Sequence, residues 1–107
     1  MSMQADALAP VFAALGDVTR LGLFERLLAG PALSVRALTE GLALTRQGVT
    51  RHLDVLEGAG LISRERIGRE TLCRAAPEAV GPALDYLERA RAQWDAAAER
   101  LRAMVED

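Results

Sequence analysis

Lysine is missing from this chain: all thirteen basic residues are arginine, and against fifteen acids they leave a formal net charge of −2. That balance excludes a protein that coats nucleic acid or an anionic surface along its whole length. A single cysteine, Cys73, excludes an internal disulfide framework and a cysteine-rich zinc site, and it fits a reducing compartment. A single histidine, His52, leaves the acids without the ligand cluster that metal sensing needs, and no pair of groups is placed to share a proton in catalysis. Asp85 and Glu88 share a helix face, but with no histidine or thiol beside them they read as solvated charges. The nine glycines are dispersed and form no phosphate-binding loop. No apolar run approaches the ~18 residues of a membrane span, and the N-terminus lacks a basic region followed by a hydrophobic one. The expectation is a cytoplasmic protein with no catalytic group, no metal, no cofactor and no membrane partner. Aromatics make up 4% of the chain while alanine and leucine are abundant, which favours a helical core over a β-sandwich.

What is present fits one domain over 1–107, large enough to bury roughly two-thirds of its unfolded surface around a single core. The charge is unevenly spread. Residues 36–74 hold seven arginines against five acids, a net of +2, whereas 75–107 hold four against seven, a net of −3. A basic middle between acidic ends suits a partner that meets only the middle.

Within that middle, Thr45–Ile62 carries Val49, Leu53 and Leu56 at i, i+4 and i+7, one apolar stripe down a helix. Thr45 is placed to cap it, and Gly60-Leu61 reads as a left-handed stop with its hydrophobic latch. The opposite face crowds Arg46, Gln47, Thr50 and Arg51 into the first two turns and leaves Asp54 and Glu57 further on. Cations there oppose the helix macrodipole at about 0.3–1 kcal/mol each. Donors gathered at a helix N-terminus are what a reader of the DNA major groove needs, whereas Asp54 and Glu57 would repel phosphates. Gly48 costs about 1 kcal/mol relative to alanine inside a helix, which points to close approach of another backbone. His52 lies at the edge of the buried stripe, either packed there or facing a phosphate.

The flanking chain supplies the rest. Gln4–Leu15 is an amphipathic helix on Leu8, Val11, Phe12 and Leu15, starting or kinking at Pro10. Asp17 caps a second, Val18–Ala29, whose stripe is Leu21, Phe24, Leu27 and Leu28. Ser34 caps a short third helix, Val35–Gly41, and a tight turn then leads to Thr45, a helix-turn-helix pattern. After Gly60 the period becomes two: Leu61–Ile67 and Thr71–Ala75 form a hairpin about Gly68, its tip surrounded by Arg64, Arg66, Arg69 and Arg74. Cys73 on its second strand is an apolar filler or a thiol switch. Past Pro77 and Gly81-Pro82, a heptad seam runs Leu84, Leu87, Arg91, Trp94, Ala98, Leu101 and Val105. That seam asks for a partner helix, either the first helix of the same chain or a second copy in a symmetric dimer.

The fold these elements define is mainly α with a small β-hairpin, a winged helix-turn-helix in the order α-α-α-α-β-β-α. The helix-turn-helix occupies 34–60, the wing 61–75 and a C-terminal dimerisation helix 77–106. Dimerisation through the first and last helices would use Leu8, Phe12, Leu84, Leu87, Trp94 and Leu101.

Residues Phe12–Leu21 (FAALGDVTRL), Leu33-Ser34-Val35, Thr45–Leu61 (TRQGVTRHLDVLEGAGL) and the wing Arg66-Ile67-Gly68-Arg69-Glu70 together resemble the ArsR family of bacterial winged-helix repressors. The resemblance spans nearly the whole chain. It implies a homodimer whose recognition helices read an inverted repeat in double-stranded DNA. It also implies that Thr45, Arg46, Gln47, Thr50 and Arg51 face the groove. His52 would support the helix or meet a phosphate, and Arg66 and Arg69 would grip flanking backbone. Ser34, at the head of the preceding helix, is counted with this DNA-binding set. The metal-sensing members' cysteine pair in the third helix and His-plus-acid ligands in the last helix are absent, so the chain is similar to the branch without metal sites. Any small-molecule effector is unidentified. Two alternatives stand beside a repressor: a winged-helix module for protein interaction, and a repressor switched through Cys73.

Overall fold

The computed structural model describes residues 3–106; residues 1, 2 and 107, at the ends of the expected domain, lie outside them. The elements run α1 Met3–Leu15, α2 Val18–Ala29, β1 Leu33–Ser34, α3 Val35–Thr39, α4 Arg46–Gly58, β2 Ile62–Ile67, β3 Glu70–Ala75, a 3-10 turn Pro77–Ala79 and α5 Val80–Glu106. This is the winged helix-turn-helix order read from the sequence, with one addition. The sheet has three strands in the order β1-β3-β2, not a hairpin alone, because Leu33 pairs with Cys73 and Ser34 with Leu72. All three strands are antiparallel to their neighbours.

Helix starts and stops follow local chemistry. The Asp17 carboxylate accepts from the N–H groups of Thr19 and Arg20 at 3.0 and 3.1 Å, and Ser34 Oγ accepts from Ala37 N at 3.0 Å. At the far end of α4, Leu61 N donates to Leu56 O at 3.0 Å and Gly60 N to Glu57 O at 2.9 Å, with Gly60 at φ +79°. That pair of bonds is a Schellman stop, and Leu56 and Leu61 are both buried beneath it. Helix α1 runs through Pro10 and does not begin there. Helix α3 ends two residues before Gly41, which takes φ +84° beyond it.

The core gathers Ala14 from α1, Leu23, Phe24 and Leu27 from α2, Leu38 from α3, Val49, Leu53 and Leu56 from α4, and Leu61 and Cys73 from the sheet. The α2 stripe is therefore rotated from the one expected: Leu23 is buried, whereas Leu21 and Leu28 are exposed. The inward face of α2 continues toward its N-terminus through Arg20, a polar residue that a hydrophobic pattern passes over. Replacing the fully buried Leu53 with alanine should cost about 2–5 kcal/mol in urea unfolding. Alanine at Val18, 86% exposed, should stay within about 0.5 kcal/mol. Equal losses at the two sites would contradict this placement of the core.

Helix α5 leaves the body of the protein. Its 27 residues extend about 40 Å at the usual rise, and only Ala83 is buried. The Cα radius of gyration is 18.5 Å, against about 13 Å for a chain of this length folded into one ball. Among the described residues, no single helix is long and apolar enough to cross a membrane.

Candidate nucleic-acid interface

Three elements position the site. Thr45 Oγ1 accepts from Gly48 N at 3.0 Å, fixing the first turn of α4, while Val49, Leu53 and Leu56 seat the helix on the core with no exposed surface. The face left outward presents Arg46, Gln47 and Arg51, all exposed. Among the described residues neither arginine is paired with a carboxylate. Thr50 is half-buried and its hydroxyl donates back to Arg46 O at 2.9 Å, so its proton is committed to the helix. The expected close backbone approach at Gly48 is not there. A Cβ at that position would meet Thr45 Oγ1 at 3.3 Å and Leu44 Cβ at 3.9 Å, side chains of its own cap.

The wing departs from its expected charge pattern. Arg64 does not reach the tip: its Nε donates to Glu57 Oε1 at 3.0 Å, and its Nη2 to Glu57 Oε1 and Asp54 Oδ1, both at 2.7 Å. The Arg64 backbone N–H adds a bond to Glu57 Oε2 at 3.1 Å. Burial works against the Arg64 charge, but the bonds to Glu57 and Asp54 outweigh it and hold the guanidinium pKa above its ordinary value. Asp54 and Glu57 are consequently not loose anions set to repel phosphates. They bind the wing to α4, and the Arg64 guanidinium offsets one of their two negative charges. Gly68, at φ +63°, opens a two-residue turn with Arg69, and Arg66 Nε donates to Gly68 O at 3.2 Å. Arg66 and Arg69 are exposed at that tip, and Arg74 lies on β3.

Two residues of the expected DNA-binding set lie elsewhere. Ser34 is half-buried, pairing in the sheet and capping α3 with its hydroxyl. His52 faces the α1–α2 elbow: its Nδ1 is 3.3 Å from Arg20 Nη1 and 3.9 Å from Asp17 Oδ2. Cys73 is fully buried, and burial pushes its thiol pKa up, which removes the physical basis for a reactive thiolate switch. Among the described residues no three His, Cys, Asp or Glu groups converge as a ligand set.

Asp17 gives a pH signature. Chiefly the Arg20 backbone N–H holds its carboxyl below the ordinary value; burial opposes this, and the charge of Arg20 adds to it. A depressed folded pKa means that the contribution is complete above the unfolded pKa and disappears as pH falls through the folded one. Melting temperatures of wild type and Asp17→Asn, followed from about pH 5 to about pH 2, should converge toward the acid end. A constant gap would show that the charge of Asp17 is not involved.

On the other side, the apolar seam of α5 is open. Trp94 is 75% exposed, Leu101 62% and Val105 78%, with Leu84 and Leu87 also exposed. Phe12 is partly exposed and meets Tyr86 of α5 at a ring-centroid distance of 6.0 Å. Leu8, expected at a dimer surface, is only 6% exposed and belongs to the core of its own chain. Tyr86 was missed because it lies off the heptad positions.

Together, a helix-turn-helix with a cationic outer face, a wing fastened to it and a projecting helix define a winged-helix protein of the DNA-binding kind. Known proteins agree. The family described as "Helix-turn-helix domain" matches residues 15–65. The HTH-type transcriptional regulator YuzN of Bacillus subtilis (strain 168) is 40% identical over 65 residues, 55% of this chain and 71% of its own length. The structure of an ArsR-like transcriptional regulator from Rhodococcus sp. RHA1 superposes with a TM-score of 0.78 at 32% identity, covering 92% of both chains. The solution structure of the homodimeric winged helix-turn-helix DNA-binding domain of Mb0332 from Mycobacterium bovis gives 0.64 at 27% identity, covering 82% of this chain and 80% of that one. This chain belongs to the ArsR family of winged helix-turn-helix transcriptional regulators, DNA-binding proteins and not enzymes.

Proposed function

We propose that the protein is a repressor that binds as a homodimer to an inverted-repeat operator and acts by occluding a promoter. The observation that carries this reading is the pair Arg46 and Arg51, exposed and, among the described residues, unpaired at the start of α4 on a helix whose own acids are held by Arg64. In it, Arg46, Gln47 and Arg51 read base edges, Thr45 and Thr50 lie at the groove wall, and Arg66 and Arg69 hold flanking phosphates. His52 and Ser34 support the interface and do not touch DNA. The two copies meet along α5 through Leu84, Leu87, Trp94 and Leu101, with Phe12 and Tyr86 at the near end. Mb0332, a relative described as homodimeric, supports a paired form, and the exposed apolar seam of α5 supports its location. The whole of 1–107 acts as one unit in this reading, with helix-turn-helix, wing and pairing helix in series. We place the chain in the branch without metal ligands, because its third helix holds no cysteine and its last no histidine.

A mobility shift with the DNA upstream of its own gene, at two salt concentrations, tests the proposal. The expected result is a complex on a two-fold site with half-sites about 34 Å apart, weakening steeply with salt. Binding with no preference over random duplex would instead favour a module for protein interaction.

A further inference from the structure

The Arg20 guanidinium stands at the junction of three helices. Its Nε donates to Ala14 O at 2.7 Å and its Nη2 to Ala13 O at 3.1 Å, closing the free carbonyl end of α1. Its Nη1 lies 3.3 Å from Nδ1 of His52 on α4, a residue 32 positions away in sequence. Arg20 belongs to α2, and the Asp17 carboxylate that caps α2 sits 3.9 Å from the same imidazole nitrogen. One side chain of α2 thus touches both the end of α1 and α4.

A guanidinium has only donors. For that contact to be a hydrogen bond, Nδ1 must be the acceptor, which requires the imidazole tautomer with its proton on Nε2. The place of this bond on α4 matters. The stripe Val49, Leu53 and Leu56 holds the helix against the core but is non-directional, so it tolerates small rotations about the helix axis. His52 sits at the edge of the stripe, next to Arg51 and about 100° round the helix from it. A directional bond at that edge, together with the Arg64 bonds to Asp54 and Glu57 further along the helix, sets the azimuth of α4 and with it the bearing of Arg46 and Arg51.

We propose that Arg20 is a positioning residue for operator recognition, acting through Nδ1 of His52 to set the rotation of α4. The proposal rests on the reading of α4 as the DNA reader. Asparagine can offer an acceptor where Nδ1 lies, whereas glutamine reaches only to the place of Nε2. Arg20→Lys keeps the charge and loses the fork that serves three acceptors at once.

The test uses the full chain and its upstream DNA. His52→Gln and Arg20→Lys should each weaken operator binding about tenfold while random-duplex affinity stays at the wild-type value. His52→Gln should melt with wild type, whereas Arg20→Lys, which gives up bonds to Ala13 O and Ala14 O, should melt lower. His52→Asn should stay within about threefold of wild type. Because the chain has one histidine, nitrogen-15 NMR reads its tautomer without ambiguity, and the Nε2–H tautomer is the expected one. Losses in His52→Asn as large as in His52→Gln would overturn the proposal, as would an Nδ1–H tautomer in wild type. Wild-type binding with no operator preference would overturn the DNA reading itself. The tautomer, measured without DNA, tells these two failures apart.

Discussion

Replacing Arg46 and Arg51 together with alanine should lower operator affinity about a hundredfold or more, at about 1–3 kcal/mol for each base-reading contact. The same double variant should melt at the wild-type temperature or above it. Both guanidiniums sit in the first two turns of α4, where positive charge opposes the helix macrodipole by about 0.3–1 kcal/mol each. Both are also exposed and, among the described residues, unpaired with any carboxylate, so their removal leaves no partner there stranded. Opposite signs in the two measurements would show that these residues are kept for contact and not for folding. Mobility shift at several salt concentrations, set beside thermal melting, reads both. A variant that bound operator as tightly as wild type would end the assignment of α4 as the reader. A parallel loss of affinity and stability would make the arginines structural.

The second large effect is expected at the other end. Trp94→Glu together with Leu101→Glu should convert a dimer to a monomer while leaving the protomer folded. In a single chain both side chains project into solvent, 75% and 62% exposed, so charge placed there meets no core. Across a pairing surface the same charges face each other in apolar surroundings. Losing the second half-site removes the avidity of two linked contacts, a factor of about 10²–10⁴ in operator affinity. Sedimentation gives the mass and mobility shift the affinity. A wild-type protein that sediments as a monomer would refute the pairing, and a double-glutamate variant that stays dimeric would move the interface away from this seam.

How much of this could be read from the sequence depends on how far apart the interacting residues are. The caps at Asp17, Ser34 and Thr45 and the stop at Gly60 are contacts within five residues, and each was legible as a pattern. So were the apolar stripe of α4 and the hairpin turn at Gly68. Strand β1 was not, because two residues carry no period and exist as a strand only through their pairing with Leu72 and Cys73. Arg64 looked like one more cation at the wing tip. Only the fold brings it back against Glu57 and Asp54, where it offsets part of the charge of those acids. Arg20 stood in plain sight in the ALGDVTR segment, but its role depends on carbonyls of α1 and a ring on α4. Periodicity records which face is buried. It does not record which polar group on that face has found a partner.

Ser34 belongs to two structures at once: it pairs with Leu72 in the sheet while its hydroxyl holds the first amide bond of α3. If the inner wing strand detaches as far as Leu72, the head of α3 loses its cap, and if α3 frays, β1 loses its anchor. Helix-turn-helix and wing therefore share one opening free energy, and their amides should exchange with solvent as a single cooperative unit. A DNA partner that grips only the wing tip would, by that joint, slow the breathing of a helix it never touches.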